Sequence, residues 1–419
     1  MTKLIGITQS APGDWKLTEL GWIFSLAIFF LGTSAAAVLG RWVEEGGPRR
    51  AMFTAGLCWA GGFFLSAIGV YLHQLWIVYV GYGVLGGIGL GTGYISPVST
   101  LIRWFPDRPG MATGMAIMGF GGGAFIASPL SVWLMNKFST PTHVGVAETF
   151  IIMGLIYLCF MMVGAAIVRV PAPAWAPAGY TAPTQPKPLV TTRNVFVYDA
   201  LKTRQFWLIW WILCLNVTAG IGVLGQASAM SQEMFRGQIT AVAASGFVGL
   251  FSLFNMAGRF IWSSASDYIG RRNTYFVFFA LGTVLYSLVP YAGAIGSIAL
   301  FVFCYAVIFS MYGGGFATVP AYLRDMFGTR YVGAIHGLLL TAWSMAGIFG
   351  PVLVNYIREY NVTHGVAPAQ AYNITMYLMA ALLVIGFLCN LFVSAVHERF
   401  HMRAAEAEDE IAAAPVFGK

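Results

Sequence analysis

Apolar residues run in long blocks along this chain, separated by short breaks that carry Pro, Gly and charge. A helix crossing hydrocarbon needs about 20 apolar residues. Runs of that length fall at 18–40, 51–72, 75–101, 109–136, 147–169, 206–229, 239–265, 274–292, 295–323, 331–357 and 372–396. The pattern predicts eleven membrane-spanning helices. One break is longer. It holds Pro171, Pro173, Pro177, Pro183, Pro186 and Pro188, followed by VYDALKTRQFW. The proline-rich part is expected to be extended and solvent-exposed, and the second part to form a short interfacial helix leading into the next span. The resulting division is an N-terminal bundle of five spans over 1–170, a central loop over 171–205, a C-terminal bundle of six spans over 206–398 and a tail over 399–419. The tail, with AEAEDEIAAAPVFGK, reads as disordered.

Composition points the same way. Hydrophobic residues make up 58% and charged residues 9% of 419 positions, with a mean hydropathy of +0.73. Soluble chains carry about 25% charged residues, so 23 Lys and Arg with 16 Asp and Glu could not cover a water-facing surface. Nucleic-acid binding, intrinsic disorder and disulfide scaffolds are excluded on the same ground. Cys58, Cys159, Cys214, Cys304 and Cys389 lie in apolar stretches with no C-x-x-C pair, and the six histidines show no ligand spacing. The cysteines read as small buried hydrophobes, and neither metal nor cofactor is expected.

Charge is most informative by location. Arg41, Arg49, Arg50, Arg103, Arg108, Arg169, Lys187, Arg193, Lys202, Arg204, Arg271, Arg272, Arg324, Arg330, Arg399, Arg403 and Lys419 fall on one side of the predicted spans. Lys3, Lys16, Lys137, Arg236 and Arg358 fall on the other. Such an excess marks the cytoplasmic face, which predicts a cytoplasmic C-terminus, residue 1 outside, and a bacterial-type inner membrane as the location.

The two halves repeat. GRWVEEGGPRR (40–50) follows the first span and SDYIGRR (266–272) the seventh, with Arg49 and Arg271 222 residues apart. RWFPDRPGMATG (103–114) follows the third span and RDMFGTRYVGAIHG (324–337) the ninth. Gly110 and Gly333, and Gly114 and Gly337, are 223 apart; Pro129 and Pro351 are 222 apart. Matches at one offset and at equivalent places in the topology indicate parallel halves, a transporter architecture. The same offset carries the counterpart of 206–229 to about −16 to 7. The register therefore predicts that the first of twelve spans lies largely upstream of Met1, and that the chain without it transports weakly.

These motifs resemble the major facilitator superfamily over essentially the whole chain. Its loop signature, G-x-x-x-D-R-x-G-R-R, is matched by Gly40, Glu44, Gly47 and Arg49, with Glu for Asp, while Glu45 and Pro48 depart from it. The second copy is matched by Asp267, Gly270, Arg271 and Arg272, with Ser263 and Tyr268 departing. Within the superfamily, GIGLGTGYISPVSTLIRWFPDRPGMATG, LKTRQFWLIW and LTAWSMAGIFGP are similar to the oxalate/formate antiporter family, itself akin to monocarboxylate transporters. The resemblance implies an all-α polytopic fold of two pseudo-repeated bundles. Acidic residues at a helix end can pair with neighbouring arginines and face the positive N-terminus of an adjacent helix. Glu44, Arg49, Asp267, Arg271 and Arg272 are accordingly assigned to gating.

One charge lies inside a span. Arg259 is nine residues before Tyr268, or about 13 Å along a helix, and half the hydrocarbon is about 15 Å thick. A central Arg costs about 2.5–3.5 kcal/mol on insertion scales. Ser252, Asn255, Ser263 and Ser266 share its helical stripe, and its planar fork suits a carboxylate. A structural pairing is the alternative, yet no Asp or Glu occupies the middle of another span. The resemblance implies a substrate-binding arginine here and, in oxalate carriers, a lysine where this chain has Trp343. One cation fits a monocarboxylate such as formate, lactate, pyruvate or acetate better than a dianion. By the same resemblance Tyr94, Tyr312, Phe316 and Trp343 line the pocket, and Asn255 joins them from the Arg259 stripe; Asn216 and Gln226 are weaker candidates.

Glycine runs such as VGYGVLGGIGLGTGYI lie inside spans and serve close helix approach, not phosphate binding. The sequence thus predicts a monomeric secondary carrier of small organic carboxylates in the lipid bilayer, and no enzyme. A proton or a counter-anion as the coupled species stays open. The rivals are an oxalate/formate-type dicarboxylate antiporter and a non-transporting membrane sensor of organic acids.

Overall fold

The computed structural model of the chain describes residues 14–15, 17–34, 42, 47–140, 143–172, 175–180 and 189–402. Eleven long helices account for nearly all of these: α1 (Leu17–Ser34), α2 (Pro48–Tyr71), α3 (Leu75–Trp104), α4 (Pro109–Phe138), α5 (Val146–Ile167), α6 (Arg204–Leu224), α7 (Ala241–Ile269), α8 (Arg271–Ala294), α9 (Ile298–Phe327), α10 (Val332–Thr363) and α11 (Asn373–Leu391). Among the described residues there is no strand, only an isolated bridge between Val195 and His401. Nine helices are long and apolar enough to cross a bilayer among the described residues. The other two are α1, with 18 residues, and α7, whose 29 residues carry the polar stripe.

Helix ends follow local chemistry. Thr203, Thr240 and Ser297 cap α6, α7 and α9 by accepting the amide N–H three residues on. Gly47 and Gly270, 223 positions apart, take φ of 78° and 87° directly before α2 and α8. A side chain there would be strained, so the repeat extends to backbone conformation. Three boundaries differ from the pattern. The α6 run stops at Leu224 and resumes as the short helix Ala227–Met234. A turn at Leu340 divides α10 into Val332–Leu339 and Thr341–Thr363. Residues 393–402 leave α11 as a strap, because Arg272 donates to the carbonyls of Asn390 and Leu391 and so satisfies the helix end from the side. The expected short helix before α6 is present at Val197–Ala200. Tyr79–Gly86, inside α3, is wound as a π-helix.

The helices pack as two groups. α2 lies along α3 and α5, with α1 on α3; α6 lies along α10, α11 and α9, while α7 and α8 flank α9. An aromatic core fills the second group, with Phe301 stacked on Tyr305 at 4.4 Å and Phe251 against both Tyr305 and Phe309. A smaller core, around Phe63, Leu134 and Met153, serves the first. Helix α4 is the least covered span and leaves Phe125, Ile126 and Trp133 exposed, whereas α10 is more than half buried against α6 and its other neighbours.

The groups meet through two equivalent pairs, α4 with α7 and α10 with α1. Along the first pair a Cβ on Gly110, Gly114, Gly121 or Gly122 would collide with α7 at Ser263, Ser263, Arg259 and Met256 respectively. Along the second, Gly32 faces Leu340 and Ser344, Gly347 faces Ile28, and Ser344 Oγ donates to the Ile28 and Phe29 carbonyls at 3.0 and 3.1 Å. Both seams are tight in the arginine-rich half. Towards the other end the same stripes open: a Cβ on Gly246 or Gly249 of α7, or on Gly21 of α1, would meet nothing within 4 Å, and Phe125 and Ile126 of α4 are exposed. The halves are therefore closed at the arginine-rich end and splayed at the other.

Candidate functional site

Arg259 sits ten residues before the end of α7, about 15 Å along the helix, at the level where the splayed halves come together. It is 3% exposed. Its Nε donates to Asn255 Oδ1 at 2.9 Å, one turn earlier on α7, and its Nη1 reaches the Ile117 carbonyl of α4 at 3.4 Å. The guanidinium lies over the rings of Phe120 (5.4 Å) and Phe316 (5.3 Å). Cation–π contacts are worth about 2 kcal/mol when desolvated, which offsets part of the burial cost. No carboxylate pairs with Arg259 among the described residues, and its Nη2 has no protein acceptor. A buried cation with an open edge is a ready partner for a carboxylate.

Aromatic side chains from four other helices enclose that edge. Trp343 of α10 packs on Phe316 of α9 at 4.4 Å and on Phe120 of α4 at 5.5 Å. Tyr94 of α3 contacts Phe316, Trp343 and His336 at 5.3, 6.3 and 5.5 Å. Tyr312 of α9 lies beside Trp343 and near enough to Arg259 to act on it electrostatically. Close approach depends on glycine: a Cβ on Gly220 would strike the Tyr312 ring, and one on Gly313 would meet Asn255. Among the described residues Tyr94 Oη and His336 Nε2 are buried with no hydrogen-bond partner, so the aromatic cluster holds polar atoms that the protein leaves free.

Arg259, Asn255, Tyr94, Tyr312, Phe316 and Trp343 thus converge from α3, α7, α9 and α10. Two others do not join them. Gln226 is bonded to Asn355 Oδ1 at 2.6 Å, and Asn216 packs against Gly315 between α6 and α9. Ser252, Ser263 and Ser266 bond back to carbonyls of their own helix. Sequence reading missed Phe120, His336 and the Ile117 carbonyl. The signal for Phe120 was the glycine run GFGGG, which brings α4 onto α7.

At the arginine-rich end a charged cluster spans the halves. Asp267 accepts from the Gly110 and Met111 amides at 2.8 and 2.9 Å, in the first turn of α4. Its other partner is Arg271 at 2.5 Å, which also reaches Asp325 at 3.1 Å and Ser266 Oγ. Arg324 pairs with Asp325 and donates to the Pro106 carbonyl at 3.2 Å, adding a second bridge between halves. Arg49 and Arg272, in contrast, are bonded within one half. Arg49 donates to the Ala165 and Ala166 carbonyls at the end of α5, as Arg272 does at the end of α11. Glu44 lies outside the described residues.

Two helical groups around a central buried cation, tight at one membrane end and splayed at the other, define a membrane carrier. The chain belongs to the Major Facilitator Superfamily, whose family model matches residues 5–351, and it is a multi-pass transporter, not an enzyme. It is 31% identical over 312 residues to the oxalate:formate antiporter of Oxalobacter formigenes, covering 74% of this chain and 69% of that one. The apicoplast pyruvate carrier 1 of Toxoplasma gondii is 26% identical, over 91% of this chain and 76% of its own. In fold, the outward-conformation crystal structure of the transporter FucP matches 93% of this chain and 92% of its own, with a TM-score of 0.66 at 13% identity.

Proposed function

We propose that this protein is a secondary carrier of small organic anions, chiefly monocarboxylates, and that Arg259 binds the substrate carboxylate. The observation that carries the reading is the open Nη2 edge of a buried arginine held between Phe120 and Phe316, with no acidic partner among the described residues. Phe120 and Phe316 flank the guanidinium and Trp343 packs on both, and the single cation favours one carboxylate over two. A dicarboxylate reading draws on the printed activity of the Oxalobacter relative; Trp343 supplies no second charge for it.

The arginine-rich end is assigned to the cytoplasm of an inner membrane by the positive-inside rule, with the C-terminus on that side, and the protein works as a monomer. The structure then corresponds to an outward-open state, with Asp267 and Arg271 as the inner gate. Alternating access requires the Asp267 bonds to α4 to break as the halves rock. Uptake of labelled lactate, pyruvate, formate and oxalate into vesicles tests the assignment. Wild type takes up one or more monocarboxylates and Arg259→Ala none; equal uptake by both, or oxalate exchange exceeding every monocarboxylate, overturns it. Binding of an organic acid without uptake by wild type would favour a sensor.

A further inference from the structure

Away from the Arg259 chamber, positive charge gathers where α2 begins and α5 ends. α2 starts at Pro48 with no side-chain cap and no acid in its first turn, so its positive end adds to the cations around it. Arg49 stands in that turn. Its Nε and Nη2 donate to the Ala165 and Ala166 carbonyls at 3.4 and 3.2 Å. Arg169, just past the end of α5, donates from Nη1 to the same Ala166 carbonyl at 2.7 Å and to that of Val168 at 3.1 Å. Two guanidiniums therefore crowd one oxygen, and both residues are exposed. A helix C-terminus carries about half a negative charge, too little to balance two cations and a helix N-terminus. No carboxylate pairs with either arginine among the described residues. The other half differs, since Arg272 donates to the carbonyls ending α11 without a second arginine beside it.

The wall next to this pair is aromatic. Trp104, which ends α3, donates from Nε1 to the Arg169 carbonyl at 2.8 Å. Trp175 of the central loop donates from its own Nε1 to the Trp104 carbonyl at 3.2 Å, and the two indoles meet edge-on at 5.0 Å. With Phe105, Met111 and Pro177 they bound a cavity of about 260 Å³, and Asp107 and Arg108 pair with each other at its rim. Indoles of this kind, apolar on the ring and polar at the N–H, suit the membrane–water boundary. An apolar track leads away from the arginines along α5. Phe160, Val163 and Ile167 share one helical face, and all are exposed.

We propose that Arg49 and Arg169 hold the phosphate of an anionic phospholipid, with its glycerol region against Trp104 and Trp175 and an acyl chain along Phe160, Val163 and Ile167. Two guanidiniums match a phosphodiester through charge-assisted hydrogen bonds, and basic pockets between membrane helices take such headgroups. A free phosphate would meet the same cations but leave the indole wall and the apolar track unused. A choline lipid would bring its own cation to a site that already has two. The site stands apart from Arg259 and from the Asp267 cluster, so it holds whatever the carrier transports.

Native mass spectrometry of the full chain in detergent tests this, by titration with phosphatidylglycerol or phosphatidylcholine of identical acyl chains. Wild type retains phosphatidylglycerol at concentrations where it retains no phosphatidylcholine. An arginine at a membrane surface is worth about 1 kcal/mol, or about fivefold. Arg49→Gln and Arg169→Gln should each weaken the first phosphatidylglycerol about fivefold, and the double variant about 25-fold. Arg169→Lys keeps the charge and should lose less than Arg169→Gln. Lys202→Gln, which removes an exposed cation at the same membrane end, should change nothing. Inorganic phosphate at millimolar concentration should not displace the lipid, and displacement would hand the site to free phosphate and overturn the proposal. Equal retention of the two lipids by wild type, or undiminished phosphatidylglycerol affinity in the double variant, overturns it as well.

Discussion

Asp267→Asn should open the inner gate. The carboxylate accepts two amides from the first turn of α4 at 2.8 and 2.9 Å and pairs with Arg271 at 2.5 Å. Asparagine keeps the shape and one acceptor but loses the charge. A hydrogen bond to a charged group is worth about 1.5–3 kcal/mol and a neutral one about 0.5–1.5, so the amide that keeps the oxygen weakens by about 1 kcal/mol, while the other faces the Asn NH2 and loses its acceptor, at a cost of about 1–3 kcal/mol. Loss of the anion at the positive end of α4 removes about 0.5–1 kcal/mol more. Arg271 keeps Asp325 at 3.1 Å, so no bare cation is left behind. The closed state should lose about 2.5–5 kcal/mol, a shift of about 70- to 5,000-fold in the closed-to-open ratio. Spin labels on Arg108→Cys and Tyr268→Cys, both exposed at the gate, would report it once the exposed Cys159 is replaced by serine. The account expects a longer-distance population in Asp267→Asn that is scarce in its parent. Identical distance distributions would refute the gating argument.

Three further outcomes follow from particular contacts. Gly121→Ala places a Cβ 2.7 Å from Arg259 Nε and 2.9 Å from Asn255 Oδ1; carboxylate affinity should fall about tenfold or more, about 1.4 kcal/mol, with the circular dichroism spectrum unchanged. Gly258→Ala drives a Cβ into the Ser310 backbone between α7 and α9; overpacking of this kind costs about 1–3 kcal/mol, read as a lower melting temperature in detergent. The strap at 401–402 should loosen in acid. Burial, and then the charge of Arg193, hold the His401 imidazole below its ordinary value. The neutral form is the one folded in, so its contribution is present above about pH 6.5 and is lost as pH falls through the lowered folded value. The protection factor of the Met402 amide, which donates to the Asn194 carbonyl, taken against the intrinsic exchange rate at each pH, should fall over that range, while that of the Phe301 amide inside the second group holds.

Much of this was legible in the sequence because the bilayer imposes simple rules. Apolar run length placed eleven helices, and the 223-residue offset of Gly110 and Gly333 anticipated the matching conformations of Gly47 and Gly270, also 223 apart. The cost of a central arginine singled out Arg259 without any structure. What stayed hidden depends on where helices touch. Phe120 and the Ile117 carbonyl reach Arg259 only because α4 crosses α7 on glycines, and no periodicity within either helix reports a crossing point. His336 looked like part of a loop repeat, since its neighbours Gly333 and Gly337 carry the match to Gly110 and Gly114. Arg49 and Arg272 sit in gating-like motifs yet spend their bonds on the ends of α5 and α11. Motif spacing fixes which helix an arginine begins, not which neighbour's carbonyls it finds.

Arg259 is the centre of the account, and equilibrium binding tests it without relying on rocking, coupling or membrane sidedness. Purified wild type should bind a labelled monocarboxylate saturably, competed by unlabelled lactate, pyruvate or formate more strongly than by oxalate. Arg259→Ala should show no saturable binding while keeping the helical spectrum and elution volume of wild type. Undiminished binding by Arg259→Ala would contradict the central claim.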